Sequence, residues 1–487
     1  MKFNFRLASR IIGMLLIIMA AAMTLPIAIS IYYGDGSQFG LLLSAICILV
    51  SGLFLRNFIG AKPSNVLTER DGALFTALIW IVIPLFGALP YIFTSSVKSF
   101  TDAAFESFSG FTTTGSSVLN GLDNMPQGLL VWRSMSQWVG GMGLILFVIA
   151  LLRRLNEGSA HLYESEFSGT LQRRLHPRMS LSVIRMWTIY IGMTTLLFTI
   201  LMICGNSLVD SLSIAMSTVS TGGFMTHDAG LASMSANSMW VVTLFMVFSG
   251  INLAVLFKFF TGRWRMLRGE EELWRYLLLY IISAIVVALF FFIGERQVTG
   301  QAIRFSLFHV ASTISSCGFY TEAPSVWPRV VSVVSFFLIF IGASSGSTGG
   351  GLKVKRIMIL TRHVRNYFTQ MVHPHAVTCV KVDGKVVEED YISKVSAFIF
   401  IYLTFVAFGA FVLTLCGIDI PNALCTAAAN MGNLGPSPVL NNIGANLDYA
   451  TLKPVAKYAM ISLMLAGRLE VFALIAAFTP AFWRRRR

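Results

Sequence analysis

Thr112-Thr113-Thr114-Gly115-Ser116 decides how this chain folds, because three further segments repeat its character. They are Val219-Ser220-Thr221-Gly222-Gly223-Phe224, Ser315-Ser316-Cys317-Gly318-Phe319-Tyr320 and Asn430-Met431-Gly432-Asn433-Leu434-Gly435. Each follows a short stretch of apolar and small residues, and a long apolar run flanks each unit on both sides. Gly115, Gly222, Gly318 and Gly432 stand 107, 96 and 114 residues apart. The pattern predicts helix, half-helix, glycine loop and helix, four times over. It is the pattern expected if one chain encloses a pore with four backbone loops around a cation path.

Composition sets the surroundings. The 487 residues are 55% hydrophobic and 12% charged, with a mean hydropathy of +0.71. Soluble domains carry about 25% charged residues, so the chain is not a soluble globule. A bilayer-crossing helix needs roughly 20 mostly apolar residues. Ten such runs lie at about 11–32, 38–58, 72–95, 128–152, 181–204, 237–260, 276–294, 330–360, 395–416 and 455–480. Runs of this length are helices rather than barrel strands. The first, preceded by Lys2, Arg6 and Arg10, is too long for a signal-peptide core of roughly 7–15 residues and reads as a retained helix.

Basic residues orient the chain. Of 37 lysines and arginines, only Lys98, Arg133, Arg296, Arg304, Arg329, Lys453 and Lys457 fall on the side opposite the termini, and Arg468 falls within a span. That asymmetry predicts both termini in the cytoplasm and an even number of crossings. The net charge of +14 is then topological, and no basic face is left for nucleic acid. The six cysteines show no paired ligand spacing and read as packing residues. His373-Pro374-His375 lacks further ligands for a metal. No paired titratable groups in the spans suggest an enzyme.

Residues 1–60 form a helical pair outside the repeat. The repeats run over about 70–155, 180–268, 274–365 and 390–483, joined by polar, basic linkers at about 153–180 and 361–394. Within the second linker, the alternation from Val377 to Val387 around Asp383-Gly384 predicts a small β-hairpin. Asp102, Asp210 and Asp419 lie 13, 12 and 13 residues before their glycines, as helix N-caps would. Half-helices started there would aim their C-terminal carbonyls at the membrane centre, which suits a cation. Repeat three has Arg304 instead.

Irregular backbone at membrane depth is tolerated where it is buried in protein or lines an aqueous path. Glycine permits the positive φ that turns successive carbonyls one way. Thr112, Thr113, Thr114, Ser220 and Thr221 add hydroxyl oxygens, and no carboxylate adjoins any of the four glycines. Oxygen ligands without carboxylates favour K+ or Na+ over divalent ions. The competing reading, small residues that merely let helices pack closely, fits one loop better than four.

The arrangement resembles the Trk/Ktr/HKT superfamily of potassium transporters, most closely the TrkH-type membrane subunits of bacterial Trk uptake systems. The resemblance covers nearly the whole chain. It rests on the N-terminal helix pair, Phe108-Ser109-Gly110-Phe111-Thr112-Thr113-Thr114-Gly115, the stretch from Gly346 to Lys353, and Gly467-Arg468-Leu469-Glu470. It implies an all-α integral membrane protein with four pseudo-fourfold repeats around one pore. Each repeat would contribute one filter strand with one key glycine, here Gly115, Gly222, Gly318 and Gly432. K+ would bind at Thr112 to Gly115, Ser220-Thr221-Gly222, Ser316-Cys317-Gly318 and Asn430-Met431-Gly432. Cys317 and Met431 depart from a full potassium-channel signature and leave the strictness of K+ over Na+ choice open.

The eighth run contains Gly342-Ala343-Ser344-Ser345-Gly346-Ser347-Thr348-Gly349-Gly350-Gly351. Each glycine costs a helix about 1 kcal/mol relative to alanine, so an unwound stretch is expected. Its spacing fails the phosphate-loop pattern, because Leu352 sits where lysine belongs, and no nucleotide is expected to bind this chain. The resemblance implies an intramembrane gating loop over 343–351, with Gly346, Gly349, Gly350 and Gly351. Arg468 lies mid-span and needs a partner or water. Glu470, two residues on, lies on another helix face. Arg468 is expected to face the pore and the Gly346 region, where its charge would oppose K+; a structural ion pair to another helix is the alternative. The resemblance further implies a homodimer in the lipid of the bacterial inner membrane and a cytoplasmic nucleotide-binding regulatory subunit of TrkA type. The expected function is gated, channel-like potassium uptake, with Na+- or H+-coupled symport as the alternative.

Overall fold

A computed structural model describes residues 5–59, 69–143, 179–295, 299–321, 329–435 and 447–470. The linker at 153–178 and the tenth run beyond 470 lie outside the described residues. Among those described, six apolar segments are long enough to cross a membrane: Phe5–Tyr33, Gln38–Asn57, Leu74–Phe93, Val183–Ile203, Glu271–Ile293 and Glu389–Leu415. The chain is a multi-pass, all-α membrane protein, and its one two-stranded sheet among the described residues joins Lys381–Val382 to Lys385–Val386. Asp383 and Gly384 both take positive φ there, as a tight hairpin turn requires.

The N-terminal pair consists of α1 (Phe5–Ala22), continued by α2 (Thr24–Tyr33), and α3 (Gln38–Phe54). Gly13 and Gly52 let α1 and α3 touch backbone to backbone. A Cβ on Gly13 would sit 2.7 Å from the Gly52 carbonyl oxygen. In lipid, where apolar surface gives helices little reason to associate, such close approach supplies the contact.

Four short helices occupy the centre. In repeat one, α4 (Glu69–Gly87) and α5 (Leu89–Phe93) lead to the first of these, α6 (Phe100–Phe111), whose loop leads on to α7 (Gln127–Gly141). Repeat two supplies α8 (Met179–Ile203), the short α9 (Leu208–Val219), α10 (Ala236–Ser249) and α11 (Leu253–Phe260). Repeat three has α12 (Glu271–Glu295), α13 (Thr299–Ile314), α14 (Arg329–Ile341) and α15 (Val354–Val372). Repeat four has α16 (Glu389–Leu415), α17 (Ile420–Met431) and α18 (Pro454–Arg468). Every residue of α6 from Ala103 to Phe111 is buried, although the helix carries Glu106, Ser107 and Ser109. By contrast, α8, α12 and α16 expose Ile191, Leu196, Leu278, Ile285, Phe400 and Phe408. Polar helices inside and apolar helices outside invert the soluble pattern, as lipid demands.

Two expectations need correction. The N-caps of α6 and α9 are Ser99 and Ser207, not Asp102 and Asp210. Each serine Oγ accepts from the backbone N–H of its aspartate at 3.1 Å and donates back to the carboxylate. This is a reciprocal box, with the acid three residues inside the helix. Asp419 alone of the three caps directly. The second long helix of each repeat also stops early. α7 ends at Gly141 and α18 at Arg468; α10 and α11 meet at 114° across Gly250-Ile251-Asn252; and α14 gives way to a loop until Val354. The expected break in repeat three is present, and the one in repeat two was not foreseen. The Asn252 side chain caps α11 through Ala254 N at 2.8 Å, so its amide starts a new helix where a glycine ends the last.

Removing one cap should cost about 1 kcal/mol. Ser207→Ala is expected to lower the unfolding free energy of detergent-solubilised protein by that amount, and reversible denaturant titration measures it.

Candidate functional site

The four central helices end alike. In each, the second residue after the helix takes the left-handed conformation: Thr113 (φ 56°), Thr221 (φ 56°), Ser316 (φ 64°) and Asn433 (φ 49°). Its N–H and the next one turn back onto the helix. Thr113 N reaches Gly110 O and Thr114 N reaches Ser109 O, both at 2.9 Å. The pairs Thr221/Gly222, Ser316/Cys317 and Asn433/Leu434 make the same two bonds at 2.8 to 3.2 Å. This double-bonded helix end normally places glycine at the left-handed residue. Polar residues here carry about 1–3 kcal/mol of strain each, and the four ends hold it in common.

Two residues past each left-handed residue comes a glycine with positive φ: Gly115 (84°), Gly223 (80°), Gly318 (78°) and Gly435 (74°). These four are packed in a cycle. A Cβ on Gly115 would lie 2.2 Å from the Gly222 carbonyl oxygen, and one on Gly223 would lie 1.8 Å from that of Cys317. One on Gly318 would meet Leu434 O at 2.1 Å, and one on Gly435 would meet Thr114 O at 2.4 Å. Loop one touches two, two touches three, three touches four, and four closes on one. No side chain fits at any of the four junctions.

The geometry moves the register of two loops. Gly223, not Gly222, corresponds to Gly115; Gly222 stands with Thr114, Cys317 and Leu434, whose carbonyls meet the next glycine. In repeat four, Asn430 and Met431 finish α17 and Gly432 is its C-cap at φ −80°, so the loop residues are Asn433-Leu434-Gly435. Thr112 and Ser220 are likewise C-caps. Ser99 and Gly115, Ser207 and Gly223, Asp419 and Gly435 each stand sixteen residues apart. The N-cap therefore carried the register that a choice between neighbouring glycines could not.

The ring is held from behind. Gln137 Nε2 donates to Gly222 O at 2.7 Å while its Oε1 accepts from Phe224 N at 3.1 Å. Asn433 Nδ2 donates to Thr114 Oγ1 and Met464 O, both at 3.0 Å. Ser116 Oγ donates to Asn430 Oδ1 at 3.2 Å. Arg133 Nε meets Glu106 Oε1 at 2.9 Å with both side chains fully buried. None of Gln137, Asn433, Glu106 or Arg133 was singled out from sequence as a site residue, and Arg133 was counted only among the basic residues on the side opposite the termini.

Directly against the ring lies the loop 342–353. Gly342, Gly346 and Gly351 take positive φ. A Cβ on Gly349 would stand 2.6 Å from Ser315 O, and one on Gly350 would stand 1.9 Å from Gly432 O. Gly350 N donates to Ser316 Oγ at 3.1 Å, and Thr348 Oγ1 donates to Val219 O at 3.2 Å. The break in repeat two receives the other side: Ser344 N reaches Gly250 O at 3.0 Å, and Asn252 Nδ2 reaches Ser345 O at 2.6 Å. Lys353, buried at the loop's end, donates to Gly349 O. Arg468 joins loop and ring. Its Nη1 donates to Thr348 O at 3.0 Å and Thr113 Oγ1 at 3.3 Å, and its Nη2 donates to Gly140 O at 2.6 Å and Gly141 O at 3.0 Å. Glu470 pairs with Arg356 at 2.6 Å.

On the rim where the half-helices begin, His227 bridges Asp123 (2.6 Å) and Asp210 (3.1 Å). Burial pulls the ring's pKa down, but the two carboxylates outweigh it and hold it above the ordinary histidine value. The His227 hydrogen bond holds Asp123 below the usual carboxylate range.

Apolar spans around a closed ring of oxygen-rich backbone define a membrane transport protein. Known proteins agree. A family model described as TrkH, cation transport protein, matches residues 43–485. The Trk system potassium uptake protein TrkH of Salmonella typhimurium is 34% identical over 490 residues, covering 99% of this chain and 100% of the relative. Its namesake in Halomonas elongata is 34% identical over 488 residues, with the same coverages. The crystal structure of the potassium transporter TrkH from Vibrio parahaemolyticus matches with a TM-score of 0.87 at 31% identity, covering 99% of this chain and 100% of that one. The chain belongs to the TrkH family of cation transport proteins.

The two register candidates separate by substitution. Gly435→Ala forces a Cβ against the Thr114 carbonyl in a left-handed residue, whereas Gly432→Ala meets its nearest neighbour at 3.2 Å. Gly435→Ala is expected to destabilise by more than about 1 kcal/mol and Gly432→Ala by less, in thermal unfolding in detergent. The histidine bridge has a pH sign. A raised pKa contributes stability below the unfolded value of about 6.5, and that stability is lost as pH rises through the folded value. His227→Gln should flatten the decline that the unsubstituted protein shows there.

Proposed function

We propose that this chain is the ion-conducting membrane subunit of a Trk potassium uptake system in a bacterial inner membrane. The observation that carries the reading is the closed cycle of four glycine–carbonyl contacts. Such a ring leaves backbone oxygens at membrane depth around one axis, which serves as a selectivity filter for a monovalent cation. The relatives' names, all Trk system potassium uptake proteins, support K+ as the ion. The filter strands in this reading are 112–115, 220–223, 316–318 and 433–435, with potassium as the bound cation.

The loop 342–353 is the gate. It lies against the ring, draws its partners from repeats two, three and four, and is tied by Arg468 to repeat one. Arg468 both holds the loop and places positive charge on the ion's path. A cytoplasmic nucleotide-binding subunit of TrkA type would move this loop, and the family resemblance extends to a homodimer with both termini cytoplasmic. Pairing of Glu470 with Arg356 favours channel-like conduction over proton-coupled symport, because it occupies a carboxylate that a proton cycle would use.

Purified protein in liposomes, with K+ and Na+ varied independently, tests the reading. Voltage-driven K+ flux without a coupling ion is expected; flux that follows an imposed proton gradient would overturn the channel assignment. Arg468→Ala should raise K+ flux several-fold while Arg468→Lys keeps it low. Gly115→Ser should abolish selective flux, and intact selectivity would remove the first loop from the filter.

A further inference from the structure

The buried pair Glu106–Arg133 has no part in the filter or gate just described, and its contacts all run to one place. Glu106 projects from α6 and Arg133 from α7. Their side chains are 0% and 1% exposed, 2.9 Å apart. Ser117 Oγ donates to Glu106 Oε1 at 2.9 Å, and Val118 N donates to Oε2 at 2.9 Å. Arg133 Nη2 reaches Ser117 Oγ at 3.0 Å and Nη1 reaches Met225 O at 3.0 Å. The guanidinium also lies 4.3 Å from the centre of the Phe224 ring. Ser117 and Val118 leave loop one just after Gly115; Phe224 and Met225 leave loop two just after Gly223. One ion pair therefore grips the outgoing limbs of two adjacent loops. Gln137, one turn along the same face of α7, holds Gly222 O and Phe224 N, so the grip on loop two runs from its carbonyl to Met225.

Stability alone gives a poor reason for two charges here. Desolvation offsets most of the attraction in a buried pair, and apolar residues of equal volume often serve as well. Directional constraint is what a bidentate acid and a forked base supply beyond packing. The junctions of loop four with loop one and of loop two with loop three are joined by neutral contacts: Asn433 to Thr114 and Ser116 to Asn430, and Cys317 Sγ to Thr218 O at 3.7 Å. Of these three junctions, only that between loops one and two is held by an ion pair among the described residues.

We propose that Glu106 and Arg133 are positioning residues that fix the separation of loops one and two, and through it the discrimination between K+ and Na+. This rests on the filter reading. Selectivity that depends on the number and placement of carbonyls around the ion is sensitive to such a separation.

The test uses the full chain in liposomes, with K+ and Na+ fluxes measured on the same preparation. Glu106→Gln and Arg133→Gln each leave one buried charge without its counter-ion. Each is expected to lower the K+ to Na+ flux ratio by about three- to tenfold, the lower part of the range of coupling energies between contacting residues. Because the two act as one unit, the double variant should fall no further than the worse single. Arg133→Lys keeps the charge and loses the fork; it provides a folded variant if the glutamine forms do not extract, and it should show the lowered ratio. Equal losses of K+ and Na+ flux with an unchanged ratio would overturn the proposal, as would losses that multiply in the double variant. Gly115→Ser separates the two levels. If it leaves the ratio intact, the filter reading fails; if it changes the ratio and Glu106→Gln does not, only the positioning role fails.

Discussion

Everything in this molecule follows from the need to keep bare backbone at membrane depth without leaving it unsatisfied. Hydrocarbon offers no partner for an exposed N–H or C=O. The chain meets that constraint by ending four buried helices in the same double-bonded turn and then pressing each following glycine onto the carbonyl of the next loop. The turn returns two N–H groups to the helix, and the glycine admits a neighbour closer than any side chain would allow. The loops depend on one another for this, because each glycine packs on a carbonyl that another loop supplies. The strain at Thr113, Thr221, Ser316 and Asn433 is tolerable only because surrounding structure over-determines it.

The burial of polar helices follows. α6 brings Glu106, Ser107 and Ser109 into the interior because its job is to deliver a loop, and the long apolar helices outside it face the lipid. The same logic interrupts the second helix of repeats two and three. A continuous span from α14 into α15 would carry its backbone bonds within itself; the break frees the backbone of 342–353 to contact the ring, and the break at Gly250-Ile251-Asn252 supplies a partner for it.

Much of this was legible from sequence and some was not, for physical reasons. The six uninterrupted spans, the four loops and the unwound glycine run are local properties, written in hydropathy and glycine content. Register was nearly legible. Gly222 and Gly223 are adjacent, and a spacing count between glycines cannot choose between them, but the distance from a serine or aspartate N-cap does. Ser99 and Ser207 were passed over because the nearby aspartates looked like better caps, when serine and acid in fact act together. Glu106–Arg133 was illegible. Its members lie 27 residues apart on different helices, and an arginine near a span end reads as a solvated topological marker until a buried carboxylate is found beside it. The break at Asn252 was hidden because one glycine and one asparagine are too weak a signal against an apolar run.

In the gating reading, the loop belongs to one repeat yet its moorings belong to all four. Val219, Ser249 and Gly250 accept from it in repeat two, the Ser316 hydroxyl in repeat three accepts from Gly350 N, and Gly432 in repeat four crowds Gly350. Arg468 carries the remaining tie to Gly140, Gly141 and Thr113 in repeat one. Individual hydrogen bonds contribute about 0.5–1.5 kcal/mol net, so a handful of them holds the loop by several kcal/mol. That is large enough to keep a closed state dominant. It is also within the roughly 5.5 kcal/mol of differential binding that shifts a two-state equilibrium from mostly closed to mostly open. In that reading, opening the path releases the loop's contacts and leaves in place those that close the cycle of glycines.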